Sequence, residues 1–250
     1  MHPLLKRNAP DSVTRCNALP TPPSQHRNSP MAQETELKLS LDPQHLPRLL
    51  AHPRLAAQAP RREHLLNTYF DTATLALMQQ RMAVRERQVG ERTLLTVKTA
   101  GHSVGGLSRR NEWEAPTTPG RFDFAALVDD AALASQLTAL AGELVPVFRT
   151  DFMRCSWLLE HGGAQVEVAL DEGFISAGAA REALLELELE LKSGPQEALL
   201  DLARVLSLGT PGQAEPRPWL HPSDRSKAER GLALFLGQQR SALAGGAATH

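Results

Sequence analysis

Two stretches share one pattern, and that pattern limits what this chain can fold into. Glu34-Thr35-Glu36-Leu37-Lys38 and Glu186-Leu187-Glu188-Leu189-Glu190-Leu191-Lys192 alternate charged and uncharged residues with a period of two. That period belongs to an extended strand, whose successive side chains point to opposite faces, and not to a helix with its period of 3.6. Each stretch therefore presents a face of carboxylates closed by a lysine. The other face carries leucine, so the sheet that contains them must bury one side against other elements.

The intervening chain continues the theme. Residues 63–72 are rich in Thr, Tyr and Phe and read as a strand. The strand predicted at 82–89 sets Arg85 and Arg87 on one face. The next, at 91–99, sets Thr96 and Lys98 on one face and Leu95 and Val97 on the other. A glycine-rich loop at 101–106 suits a hairpin connection and leads into a strand with Arg110, Glu112 and Glu114 on a shared face. Two further strands fit 146–160, carrying Arg149, and 164–170, carrying Glu167 with Asp171 at its end.

Helices are expected in between. Asp42-Pro43 reads as a cap with proline at the first helical position, opening a short helix with a Leu46, Leu49, Leu50 stripe that Pro53 interrupts. Residues 74–80 suit a short helical turn, and 122–144, 196–208 and 224–235 carry apolar residues at helical spacing. About eight strands joined by loops or short helices imply a largely antiparallel sheet in an α+β fold. Two arrangements accommodate the charged faces. One is a twisted sheet with a solvated side, on which cross-strand pairs each contribute roughly 0.2–1 kcal/mol. The other is a closed eight-stranded antiparallel β-barrel, a tunnel with a charged lumen and helices packed on the outside. The density of charge, with little Ser, Thr or Gln at the same positions, favours the barrel.

Composition excludes several functions. The net charge is -1, and residues 1–30 hold Lys6, Arg7, Arg15 and Arg27 against Asp11, leaving 23 basic and 27 acidic residues in the remainder. That balance argues against a duplex nucleic-acid binder held by bulk charge. Cys16 and Cys155 are the two cysteines, too few for a disulfide framework or a thiolate zinc site. No apolar run approaches the roughly 18 residues of a membrane span, and the first residues lack the apolar core of a secretory signal, so a cytoplasmic protein is expected. Residues 1–30, broken by six prolines, read as a disordered extension with Met31 as the expected start; the prolines also interrupt the amphipathic helix that a transit peptide needs. Residues 31–237 form the expected domain and 238–250 a flexible tail.

The charged face divides by chemistry. Glu34, Glu36, Glu188 and Glu190 are hard oxygen donors suited to Mg²⁺ or Mn²⁺. Arginine forks and lysine ammonium groups opposite them suit a ligand with several negative charges, such as phosphate oxygens. Together they point to a metal-bound polyphosphate.

The ordered series of motifs resembles the CYTH-domain proteins of the triphosphate tunnel metalloenzyme superfamily, in particular the bacterial inorganic triphosphatase branch. The series runs Glu34-x-Glu36-x-Lys38, Tyr69-Phe70-Asp71-Thr72, Arg85-x-Arg87 and Thr96-x-Lys98, then Gly106 to Glu114, Phe148-Arg149-Thr150-Asp151-Phe152, Asp171, Glu186-x-Glu188-x-Glu190-x-Lys192 and Ser226-Lys227. The resemblance implies a tunnel that hydrolyses triphosphate to diphosphate and phosphate with a divalent metal. It assigns Glu34, Glu36, Glu188 and Glu190 to metal, and Lys38, Arg85, Arg87, Lys98, Arg110, Arg149, Lys192 and Lys227 to phosphate. It implies catalytic roles for Glu34, Glu36, Lys38, Glu188 and Tyr69, although Tyr69 fits equally as a wall aromatic. Glu186 orients water or balances an arginine, and Asp171 anchors a neighbour. The expected partner is a small-molecule triphosphate, with no nucleic acid and no membrane. The same fold admits a class IV-type adenylate cyclase and a thiamine or nucleoside triphosphatase, and the same lumen admits a polyphosphate-binding module without catalysis.

Overall fold

The computed structural model describes residues 32–208 and 219–246. The expectations for residues 1–30 and for most of the proline-rich turn after Leu208 lie outside these. The strands are β1 (Ala32–Leu41), β2 (Arg61–Asp71), β3 (Ala83–Val89), β4 (Arg92–Lys98), β5 (His102–Val104), β6 (Leu107–Thr117), β7 (Val145–His161), β8 (Ala164–Ala177), β9 (Ala180–Ser193) and β10 (Leu220–Pro222). The helices are α1 (Leu46–Leu50), α2 (Pro53–Ala56), α3 (Ala76–Gln79), α4 (Phe124–Leu127), α5 (Ala131–Leu140), α6 (Glu197–Leu208) and α7 (Lys227–Gly246). No helix among the described residues is long and apolar enough to cross a membrane.

Eight strands close into an antiparallel barrel in the order β1-β9-β8-β7-β2-β3-β4-β6, with β6 returning to β1. The closing strand is β1, and its register shows how. Residues 32–37 pair with β6, setting Glu34 opposite Arg110, while residues 36–40 pair with β9, setting Glu36 opposite Glu190 and Lys38 opposite Glu188. The two acidic strands are thus neighbours, and alternation sends their charges to the same side.

Their leucines face outward. Leu37, Leu39, Leu187 and Leu189 join Val166, Val168 and Trp157 beneath α6. Helix α6 meets them with Leu199, Leu202 and Leu206, spaced three and four apart and wholly buried, each contributing roughly 1.5–3 kcal/mol. A second apolar cluster packs Val84, Leu95, Val97 and Trp113 under Phe124 and Leu127 of α4 and Leu137 of α5.

Helix α7 departs from the expectation that every helix covers the outside. Its Leu232, Phe235 and Leu236 pack against Phe148, Ile175, Ala177 and Leu184. By alternation these four share the inward side with Arg154, Asp171 and Glu186, so α7 caps part of the barrel interior. Gly231 of α7 makes the close approach possible, because a Cβ there would lie 2.1 Å from the Phe148 ring. That ring is itself stacked on Tyr69 at 4.4 Å and has little room to retreat. Gly to Ala normally stabilises a helix interior by up to about 1 kcal/mol. Here the sign reverses: Gly231→Ala is expected to lower stability by about 1–3 kcal/mol through overpacking, read as a lower midpoint in urea unfolding.

Other boundaries differ from the sequence-based expectation. The loop at 101–106 contains β5, which pairs back on β6. Gly106, at φ 81°, sits where a Cβ would be 2.5 Å from the Lys38 carbonyl oxygen. Strand β8 runs past Leu170 to Ala177, and α7 extends beyond residue 235 to Gly246.

Candidate functional site

A cavity of about 1090 Å³ occupies the barrel, lined by charged side chains from β1, β3, β4, β6, β7, β9 and α7. Its charges fall into three connected groups. Around β1, Glu34 accepts from Lys98 at 3.0 Å and from Arg110 at 2.8 Å, and Glu36 accepts from Arg110 at 2.7 Å and from Lys38 at 2.9 Å. Glu112 completes this group with a 2.8 Å contact to Lys98.

Around β9, Asp171 receives a bidentate fork from Arg154, 2.7 Å in each arm. Lys227, at the first turn of α7, reaches Asp171 at 2.8 Å, Glu186 at 2.6 Å and Glu188 at 2.7 Å. Arg154 also donates to Glu188 at 2.5 Å. Lys192 closes the strand on Glu190 at 2.7 Å.

The third group is different. Arg85 donates to the hydroxyls of Thr96, at 3.3 Å, and Tyr69, at 3.4 Å, and Arg87 donates to the amide oxygen of Asn67 at 2.9 Å. Among the described residues, carboxylates come no closer to these two arginines than Glu112 at 3.7 Å and Glu114 at 3.8 and 4.0 Å. Uncharged oxygens hold these guanidinium groups; burial opposes the charge of Arg85, which Tyr69, Glu112 and Glu114 nonetheless hold well above its ordinary value, whereas Arg87 has only Glu114 at 4.0 Å among the described residues.

Titration follows from this packing. Burial raises the pKa of Glu34 and Glu188, but Lys98 and Arg110 at the first, and Lys227 and Arg154 at the second, outweigh it and hold both well below the usual range. Burial likewise opposes the charge of Lys227, which its three carboxylates nonetheless hold well above the ordinary value. At Glu186 burial wins, helped by Glu188 against Lys227, and lifts the carboxyl from 4.5 to about 7. Arg87 moves the other way, down to about 10, through burial and the repulsion of Arg85.

Between its unfolded value near 4.5 and its folded value near 7, Glu186 binds more proton in the folded state, so stability falls as pH rises through that window. Thermal melts of metal-free protein from pH 5 to 7.5 should therefore decline, and Glu186→Gln should flatten that decline. An equal slope in both proteins would count against the assignment.

The tunnel gathers Glu34, Glu36, Lys38, Arg85, Arg87, Lys98, Arg110, Glu188, Glu190, Lys192 and Lys227. Tyr69 is buried against Phe148, with its hydroxyl on Arg85. Arg149 is not in the tunnel. It is exposed on the outer face of β7 with Asp151 and Met153, because alternation puts Thr150, Phe152 and Arg154 inside. Arg154 is the arginine that β7 contributes, and the count of two from buried Phe152 is the signal that identifies it. Asp171 anchors Arg154 and Lys227 as expected of it. Asp71, from the Tyr69 to Thr72 motif, instead accepts from the backbone N–H groups of Thr72, Leu77 and Met78 and so holds α3.

The tunnel carboxylates fit a hard divalent cation in donor chemistry, being oxygens on adjacent strands with Glu36 and Glu190 directly opposed. No group of three or more His, Cys, Asp or Glu side chains is gathered in metal-holding geometry among the described residues. Each glutamate is turned onto a cation instead, so a metal ion would compete with Lys38, Arg110, Arg154, Lys192 and Lys227 for the same oxygens.

Comparison with known proteins agrees with this architecture. Residues 32–213 match the family model described as the CYTH domain. Over 211 residues the chain is 36% identical to a curated protein of Haemophilus influenzae named inorganic triphosphatase. The match covers 82% of this chain and 55% of that protein, so the chain spans about half the length of this relative. Among solved structures, a Hippeastrum protein described as revealing a dominant triphosphatase activity superposes with a TM-score of 0.54 at 19% identity, covering 80% of this chain and 95% of that one. A Pyrococcus horikoshii protein gives 0.50 at 18% identity, covering 80% and 98%. At these identities the two structures show a shared fold.

Proposed function

Because this chain belongs to the CYTH-domain family, we propose that its tunnel binds inorganic triphosphate with a divalent metal ion, Mg²⁺ or Mn²⁺, and hydrolyses it to diphosphate and phosphate. The observation that carries this reading is the composition of the lumen. Buried ion pairs are seldom worth more to stability than apolar residues of the same volume, so a barrel interior filled with them is better explained by a ligand than by the fold. A linear anion with several charges matches cations arrayed around a closed wall, and the relative named inorganic triphosphatase supports the substrate class.

Arg87 and its neighbour Arg85 bind phosphate oxygens first, since among the described residues no carboxylate lies at hydrogen-bond distance from either. Lys38, Lys98, Arg110, Arg154 and Lys227 exchange carboxylate for phosphate contacts as the anion seats. Glu34, Glu36, Glu188 and Glu190, released in that exchange, would hold the metal, which when bound supplies charge neutralisation of the phosphate oxygens and acidifies water. Water attacks the terminal phosphorus, the bond to the bridging oxygen breaks, and the departing diphosphate carries its negative charge onto the arginines and lysines. A lumen carboxylate takes the proton of the attacking water.

A substrate panel tests this reading. Tripolyphosphate, ATP, thiamine triphosphate and diphosphate are incubated with Mg²⁺ or Mn²⁺, scoring both phosphate and cyclic nucleotide. Fastest phosphate release from tripolyphosphate, with no cyclic AMP from ATP, is the expected outcome. Cyclic AMP as main product would transfer the site to the cyclase reading. A melting shift with tripolyphosphate but no phosphate over hours would make it a binding module.

A further inference from the structure

Resting on the triphosphatase reading, we propose that Asn67 is a positioning residue that aims Arg87 at the substrate while leaving its positive charge free for phosphate. Arg87, Asn67 and Thr150 are direct cross-strand partners on β3, β2 and β7, forming one transverse row inside the barrel. Asn67 and Thr150 are wholly buried. Arginine has only donors, so the Asn67 oxygen must face it, accepting from Arg87 Nε at 2.9 Å. The amide nitrogen then points across the row and donates to Thr150 Oγ1 at 2.8 Å. The donor-only guanidinium thus sets which way the amide lies, Thr150 holds the other end of the amide in place, and the amide fixes the guanidinium through Nε. Its two terminal nitrogens are left toward the lumen.

The choice of a neutral partner sets Arg87 apart. Lys38, Lys98, Arg110, Arg154, Lys192 and Lys227 each have a carboxylate within 3.0 Å. Among the described residues Arg87 has only Glu114 within ion-pair distance, at 4.0 Å, and Arg85 beside it shares that carboxylate at 3.8 Å. The depressed pKa of Arg87 is consistent with such a site, where an incoming anion relieves the repulsion of Arg85. An aspartate at position 67 would have nearly the same shape, yet would neutralise Arg87 as the other tunnel cations are neutralised. A residue needed only for packing would tolerate that exchange. One needed to hold Arg87 uncompensated would not.

The test is turnover of tripolyphosphate with Mg²⁺ by the full chain, with KM and kcat determined separately and tripolyphosphate binding followed by calorimetry. Asn67→Asp is expected to raise KM by about tenfold, the loss of one charge-assisted contact, with kcat within about threefold and no fall in melting temperature. Thr150→Val keeps the side-chain shape but leaves the buried amide nitrogen unpaired, so it should lower the melting temperature modestly and raise KM without lowering kcat. If Asn67→Asp fails to fold, the Thr150 variant decides. An unchanged KM in the folded variants, or KM, kcat and melting temperature worsening together, would overturn the role of Asn67 while leaving the triphosphatase reading in place. Wild-type protein that neither binds nor cleaves tripolyphosphate would overturn that reading itself, and this role with it.

Discussion

Glu188→Gln should reduce metal-dependent phosphate release from tripolyphosphate by at least about 100-fold, the scale on which removal of one preorganised electrostatic group acts. Glu188 stands where two cations meet, accepting from Lys227 at 2.7 Å and from Arg154 at 2.5 Å. Glutamine keeps its shape and one acceptor oxygen but removes the charge needed for a metal and for orienting those two cations toward the lumen. The fold should survive, since Asp171 still engages both Arg154 and Lys227, and Glu186 still engages Lys227. Circular dichroism separates a lost site from a lost fold. Full activity in this variant would remove Glu188 from the machinery.

The second large effect distinguishes two arginines five residues apart. Arg154→Ala should raise the KM for tripolyphosphate by roughly 10- to 100-fold, as expected for losing a charge-assisted contact of about 1.5–3 kcal/mol. It should also destabilise the protein, because Asp171 is wholly buried and would keep Lys227 as its remaining cation. Arg149→Ala, by contrast, changes an exposed side chain on the outer face and should leave KM and kcat within about twofold of wild type, as surface substitutions do. The comparison is a direct test of the alternation of β7. If Arg149 proved the costly one, the assignment of inner and outer faces on this strand would be wrong.

That contrast also shows what the sequence makes legible. The period of two in β1 and β9 identifies the charged and apolar faces. The number of such strands and the crowding of charge favour closure into a barrel over a sheet with one solvated side. Motif matching around Phe148-Arg149-Thr150 selects Arg149, however, whereas alternation within the strand selects Arg154. The pairing of the charges is not legible at all, because it depends on register. Only the offset that sets Lys38 opposite Glu188, and Glu34 opposite Arg110, determines which carboxylate meets which cation. Asn67 escapes notice for the same reason, being a neutral residue whose role exists only once three strands align. Helix α7 shows a further limit: its apolar residues require burial but do not say on which side of the barrel wall.

The proposed activity is metal-assisted cleavage of inorganic triphosphate in the tunnel. The most direct measurement follows phosphate and diphosphate together during turnover of tripolyphosphate, with Mg²⁺ or Mn²⁺ and again in excess chelator. One phosphate and one diphosphate per tripolyphosphate consumed, with release stopping in the chelator, is the predicted result. Undiminished release in the chelator, or no cleavage with either metal, would contradict it.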